Sequence, residues 1–247
     1  MSKFLIGNLK MNMSEREITA YLKGLKKQAK KYNNKVGVAV PFPYLYLAQK
    51  ILGKSAVLYG AQNVNDHPKG AFTGEVSLAM LEDFKVKLVL VGHSERRAYY
   101  NENDEAINIK IKTLLEKDIT PVFCFGENLE QREKNEQKKI VEKQITNALK
   151  DIDNDEVQKI VFAYEPIWAI GTGVSATSKQ ADEMAKHIKD FVSKKYKTER
   201  KDICVLYGGS LNDKNADDIL SKTNIDGGLI GGACLKVDTF EKIFSYK

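Results

Sequence analysis

Lys10, His93 and Glu165 are the side chains of this sequence best suited to hold an anion or move a proton, and each stands at or just behind the end of a short apolar run. His93 precedes Ser94-Glu95-Arg96-Arg97, which reads as a helix opening, so it faces the positive end of a helix dipole. That position disfavours imidazolium, and a neutral imidazole can donate a hydrogen bond to a substrate oxygen. A histidine serving structure alone fits the same position. Glu165 lies before Pro166 and close to Trp168 and Ile170, where a half-buried carboxylate is tuned toward general-base work. Lys10, two residues after Asn8, offers a fixed positive charge or a snorkelling surface amine.

Backbone donors form a second group. Gly208-Gly209-Ser210 and Gly231-Gly232 follow apolar runs, and glycine lets backbone N–H groups approach a ligand closely, as phosphate loops require. Plain turn glycines are the alternative. Trp168-Ala169-Ile170-Gly171-Thr172-Gly173 is too apolar for an ordinary exposed loop and reads as a lid. Gly171-x-Gly173-x-x-Ala176 also matches a dinucleotide fingerprint, but the preceding strand has already ended and Asp190 falls mid-helix. Cys124 could be proposed as a nucleophile, yet Phe123 and Phe125 on either side mark it as a small buried residue. His67, His93 and His187 lack ligand-spaced partners, so no metal is expected and no cofactor is implied.

The elements that must position these groups are legible as apolar runs. They are Phe4–Leu9, Val36–Val40, Val57–Ala61, Leu88–Val91, Ile119–Phe125, Ile160–Tyr164, Ile203–Tyr207 and Gly228–Ile230. Most are continuous rather than alternating, as strands buried on both faces are. Helical stripes lie between them: Ile18, Leu22, Leu25 and Ala29; Ile107, Ile111, Leu114 and Leu115; Val141, Ile145, Ala148, Leu149 and Ile152; Met184, Ile188, Phe191 and Val192. Thr177 and Gln180 form a capping box that opens the last of these helices. Eight strand–helix units in 247 residues average about 31 each, and no linker interrupts them. The expectation is an α/β fold, a closed (β/α)8 barrel of eight parallel strands ringed by helices, as one domain over residues 1–247. A doubly wound open sheet would carry its glycine fingerprint after the first strand, where this chain has Asn8-Leu9-Lys10. Active sites of such barrels form at the strand C-termini, so Asn8, Lys10, His93, Glu95, Glu165, Ser210, Gly231 and Gly232 are expected at one mouth.

Composition narrows the classes. Hydrophobic content of 43% and mixed charge exclude disorder, and no run approaches the ~18 apolar residues of a membrane helix. The N-terminus lacks a signal-peptide pattern, and three widely spaced cysteines suit reduced thiols in a cytoplasmic protein. A balance of 39 basic to 33 acidic residues gives +6. The densest run, Lys23 to Lys31, lies on a solvated helix face, so nucleic acid is not expected and a small anion is.

Gly7-Asn8-Leu9-Lys10-Met11-Asn12, Val91 to Arg97, and Ala163-Tyr164-Glu165-Pro166-Ile167-Trp168 through Gly173 resemble signature segments of the triosephosphate isomerase family. Tyr207-Gly208-Gly209-Ser210 and Gly231-Gly232-Ala233 are similar to its phosphate loops. The resemblance runs end to end. It implies interconversion of dihydroxyacetone phosphate and glyceraldehyde 3-phosphate through a cis-enediolate. Glu165 would be the base, His93 the neutral electrophile helped by Asn8, and Lys10 the charge stabiliser supported by Glu95. Gly171, Ser210, Gly231 and Gly232, with Asn8 and Lys10, would hold substrate and phosphate. Pro166, Ile167, Trp168, Ala169, Ile170, Gly171, Thr172, Gly173, Val174, Ser175 and Ala176 would form the lid, hinged at both ends. The family resemblance further implies a homodimer in which a loop from Gln62 to Glu75, with Thr73 at its tip, enters the partner subunit near Asn8 and Glu95. An ordinary surface hairpin is the alternative.

Three positions depart from the family pattern. Leu9 stands where Trp is frequent, Leu211 where Val is common, and Cys234 where Ser is usual. Cys234 borders the phosphate loop, so its oxidation is expected to impair phosphate binding. A non-catalytic sugar-phosphate-binding barrel acting as a scaffold is the competing reading. It would be expected to have lost Lys10, His93 or Glu165, and all three are present. An aldolase would need a Schiff-base lysine within a strand, and an epimerase a metal site or paired aspartates; neither is visible.

Overall fold

Burial on both faces explains why the apolar runs are continuous. A computed structural model describes residues 2–170 and 175–246. Eight strands, β1 (Phe4–Asn8), β2 (Lys35–Val40), β3 (Leu58–Ala61), β4 (Leu88–Val91), β5 (Thr120–Phe125), β6 (Val161–Tyr164), β7 (Cys204–Tyr207) and β8 (Gly227–Ile230), pair in sequence order. All pairs are parallel, and β8 closes onto β1 through Phe4–Gly227 to Gly7–Ile230. The inward side chains, among them Phe4, Ile6, Leu88, Leu90, Val122, Ala163 and Leu206, fill the barrel interior. Their outward neighbours, such as Leu5, Val38, Val89, Phe123, Phe162 and Val205, pack against the helices in a separate, larger core. The expected (β/α)8 barrel is therefore formed, with each run within about a residue of its strand. Leu9 is the main difference: it leaves β1, and its side chain joins the outer core.

The helices are α1 (Glu15–Ala29), α2 (Leu45–Leu52), α3 (Leu78–Asp83), α4 (Ser94–Tyr99), α5 (Asp104–Leu115), α6 (Leu129–Glu133), α7 (Gln137–Ala148), α8 (Ser178–Tyr196), α9 (Ala216–Leu220) and α10 (Val237–Phe244). Each expected stripe faces the barrel, though Phe191 and Ile152 are only partly buried and Ile152 lies beyond α7. The Thr177–Gln180 capping box opens α8 as the spacing predicts, and Ser14 with Glu17 does the same for α1. Asp190 lies within α8, which removes the structural context a dinucleotide fingerprint needs. No helix among the described residues is long and apolar enough to cross a membrane.

Candidate active site

Strand ends supply the site. Asn8 ends β1, and its Oδ1 accepts the Lys10 N–H at 3.0 Å. That bond supports the turn in which Lys10 takes φ +51°, the left-handed region that few non-glycine residues adopt. Lys10 Nζ pairs with Glu95 Oε1, and its Cε would lie 3.4 Å from a Cβ placed on Gly231. The amine stem therefore spans from the β1 end to the glycine turn after β8.

His93 caps α4. Its Nδ1 accepts the Glu95 N–H at 3.3 Å, so the ring proton sits on Nε2, the nitrogen facing the cavity. Nε2 lies 3.2 Å from Glu165 Oε1, while Glu165 Oε2 accepts the Ser94 N–H at the start of α4 at 2.9 Å. The sequence placed Glu165 in a half-buried loop; it is instead only 1% exposed. The cause is close packing at the ends of β5, β6 and β7: the Glu165 N–H bonds Phe125 O at 2.7 Å, and a Cβ on Gly208 would come within 2.9 Å of Glu165 Cγ.

Asn8, Lys10, His93, Glu165, Ser210, Gly231 and Gly232 line one cavity of ≈ 260 Å³. That is slightly below the ~300–1,000 Å³ of drug-sized sites and suits a small ligand. A donor N–H, a carboxylate, an ammonium and glycine turns thus converge on a volume fit for a small anion. Glu95 is not on this wall. It stands between Lys10 and a second hollow lined by Met11, Phe42, Gln62, Asn63, Arg96 and Tyr100.

Ser210 is already engaged. Its N–H (3.0 Å) and its Oγ (2.7 Å) both donate to the Ala169 carbonyl. Of the expected lid, Ile167–Ala169 form a single 3-10 turn after Pro166 and Ile170 touches the cavity, while Ser175 and Ala176 lead into α8. Gly171, Thr172, Gly173 and Val174 lie outside the described residues. Thr73 is exposed in a turn with Gly74 at φ +93°.

Several contributors were not foreseen. Glu127, just past β5, is fully buried and bonds the Tyr164 hydroxyl with both oxygens (3.0 Å) and Trp168 Nε1 with one (2.9 Å). Burial raises its pKa above the ordinary carboxylate value, against the opposing pull of its Trp168 and Tyr164 bonds and of Arg132. Arg97 holds the Gly92 carbonyl (2.8 Å), the Cys124 carbonyl (3.2 Å) and Asp104 (2.7 Å), tying the ends of β4 and β5 together. Beneath α4, buried Lys110 pairs with Glu102 and Asn63, and Arg96 completes the Glu102 carboxylate. Glu127 ends a strand much as Glu165 does, and that signal was available.

The cysteines behave as buried residues. Cys124 is fully buried, and burial drives its thiol well above its ordinary value, as the flanking phenylalanines imply. Cys234 is equally enclosed and its thiol is pushed up to about 12, so the expected oxidation loses its basis in both access and thiolate population.

The fold is that of a (β/α)8 barrel enzyme, with a carboxylate–imidazole pair, an ammonium and glycine turns around one cavity. The chain belongs to the triosephosphate isomerase family: the family model for triosephosphate isomerase matches residues 3–247. It is 42% identical over 243 residues (98% of this chain, 97% of the relative) to a triosephosphate isomerase of Endomicrobium trichonymphae. A triosephosphate isomerase of Finegoldia magna is 45% identical over 249 residues, covering 100% and 99% of the two chains. One from Alkaliphilus metalliredigens is 41% identical over 243 residues. The chain is accordingly an aldose–ketose isomerase whose substrate is a triose phosphate.

Proposed function

We propose that Glu165 is the general base of this isomerisation and His93 its electrophile, within a single barrel domain. The observation that carries this reading is the 3.2 Å approach of Glu165 Oε1 to His93 Nε2 on the cavity wall. A ketose entering with its phosphate toward Gly231 and Gly232 places its carbonyl near Nε2–H and the adjacent carbon near the carboxylate. Glu165 removes a proton from that carbon, and the electrons move onto the carbonyl oxygen to give a cis-enediolate. His93, with Asn8, donates hydrogen bonds to the oxygens, and Lys10 offsets the negative charge. Glu165 then returns the proton to the neighbouring carbon, giving the aldose. Glu95 fixes Lys10 through their ion pair. An enediolate phosphate open to water would be reprotonated or expel its phosphate, so residues 166–176 act as a cover.

Ser210 joins the phosphate ligands only after its N–H leaves Ala169, which links phosphate binding to displacement of the segment that begins the cover. No cofactor or metal enters this scheme.

The same reading extends to assembly: a second copy of this chain inserts its Thr73 turn into the hollow beside Lys10 and Glu95. Support comes from Met11 and Tyr100, exposed apolar side chains that line that hollow, and from exposed Phe72 next to the Thr73 turn. Unpaired cysteines fit a reducing, cytoplasmic setting.

The test is a coupled assay of glyceraldehyde 3-phosphate formation without added cofactor, on the native chain and on Glu165→Gln. Loss of a positioned base costs at least ~10²-fold in kcat. A variant as fast as the native chain refutes the assignment.

A further inference from the structure

Two strand ends meet the phosphate cavity from opposite sides of the β1–β8 seam, and one residue beneath them bonds both, by its side chain to one and its backbone to the other. Cys234 Sγ donates to the Asn8 carbonyl at 3.5 Å, and the Cys234 N–H donates to the Gly231 carbonyl at 2.9 Å. Its sulfur also fills the space over Gly7, where an added Cβ would lie 3.1 Å away. Next to it lies the Tyr21 hydroxyl of α1, in a side chain only 5% exposed, which interacts with the Cys234 sulfur and meets no other hydrogen-bond partner among the described residues. A buried hydroxyl in that state has a free proton to place, and the neighbouring sulfur is a weak acceptor for it.

We propose that Cys234, backed by the Tyr21 hydroxyl, is a positioning residue that sets the distance between the Gly231-Gly232 turn and the Asn8–Lys10 turn. It thereby tunes affinity for the substrate phosphate. This rests on the reading that phosphate sits between those two turns. Sulfur suits the joint because the C–S bond is longer than C–O, so Cys234 reaches Asn8 O without drawing β1 toward the glycine turn. Without the Sγ contact, the two turns keep the β1–β8 ladder and the Lys10 stem but lose this joint, and the N–H groups of Gly231 and Gly232 are less firmly spaced from Lys10 Nζ. The chemistry at Glu165 and His93, on the far wall, is untouched. The larger effect therefore falls on KM and phosphate affinity, with a smaller one on kcat through Asn8 and Lys10.

The experiment compares native chain, Cys234→Ala, Cys234→Ser and Tyr21→Phe by steady-state kinetics and by competitive inhibition with inorganic phosphate. Cys204→Ala, at the other end of the barrel, controls for loss of a buried thiol. The net worth of one hydrogen bond corresponds to about fivefold in affinity. Cys234→Ala is expected to raise both KM and the phosphate inhibition constant by about that factor, with kcat within about twofold. Cys234→Ser is expected to recover most of the loss, and Cys204→Ala to leave both constants unchanged. Tyr21→Phe should weaken phosphate in the native background and have no further effect alongside Cys234→Ala. An unchanged phosphate constant in Cys234→Ala overturns the proposal, as does a loss confined to kcat. Should Cys234→Ala not fold, the Tyr21→Phe and Cys234→Ser arms decide: no change in phosphate constant in either overturns it. Absence of phosphate inhibition in the native chain would instead refute the phosphate-site reading itself.

Discussion

Gly208→Ala isolates the positional demand on the proposed base. An alanine Cβ at this position would sit 2.9 Å from Glu165 Cγ and 3.1 Å from the Tyr164 carbonyl oxygen. The carbonyl is fixed, because it accepts the Gly208 N–H at 2.7 Å within the β6–β7 seam. Relief must come from the Glu165 side chain. Restoring an ordinary carbon–carbon contact requires Cγ to retreat by roughly 0.5–1 Å, and the carboxylate moves with it. A misplacement of about 1 Å costs on the order of 10²-fold in rate. Gly208→Ala should thus lower kcat by roughly 30- to 100-fold, or about 2–2.7 kcal/mol of barrier. The readout is the coupled assay, with thermal unfolding as a check that the barrel remains intact. Combining it with Glu165→Ala sharpens the result. Alanine has no Cγ to meet the added methyl, so Gly208→Ala should cost little further kcat in the Glu165→Ala background. A kcat within about threefold of the native chain, or strictly additive losses in the pair, would refute the reasoning.

Other outcomes follow from the same geometry. Lys10→Met removes the charge that faces the glycine turns and should weaken inorganic phosphate inhibition by about 10- to 100-fold, read from inhibition constants at two salt concentrations. Glu127 has its carboxyl pKa raised by burial, so the native fold binds its proton more tightly than the unfolded chain does. Its ionisation therefore costs stability as pH rises past the ordinary carboxylate value. Denaturant titrations should find Glu127→Gln gaining stability relative to the native chain between acid and neutral pH; a difference flat in pH would contradict this. The chain has one tryptophan, so the same variant should alter Trp168 emission by disturbing the Nε1 contact. Lys110→Met leaves the buried Glu102 carboxylate short of a cation and should cost about 3–5 kcal/mol in chemical denaturation. Thr73→Arg should shift sedimentation from dimer to monomer and lower activity; an unaltered sedimentation coefficient would count against the proposed assembly.

The barrel was legible because a strand buried on both faces has no polar alternation to obscure it, and eight such runs leave few topologies. The strand-end groups were legible for a related reason: Asn8, His93 and Glu165 interrupt apolar sequence where a chain turns toward solvent. Short helices such as α3, α6 and α9 were not, since five or six residues contain too few turns to show a 3.6-residue period. Glu127 was missed because its partners, Tyr164 and Trp168, lie on the next strand and its cover, about 40 positions away in sequence. The depth of Glu165 was underestimated because glycines at Gly126 and Gly208 let neighbouring strand ends close over it, and a glycine shows no packing preference in sequence. The Ser210–Ala169 bonds could not be seen at all, because backbone acceptors carry no residue signature.

Those Ser210 bonds make one donor answer to two claimants. On the proposed reading, the N–H that greets an arriving phosphate is the same N–H that restrains the start of the cover, so the two cannot be satisfied together. Ligand arrival is then an exchange of partners rather than a simple addition, and part of the phosphate's attraction is consumed in releasing Ala169. A triose without its phosphate has nothing to offer in that exchange. It should therefore react slowly even when saturating, and the deficit would appear in turnover as well as in affinity. The phosphate, which takes no part in bond making, would in this way set the tempo of a reaction at the opposite end of its substrate.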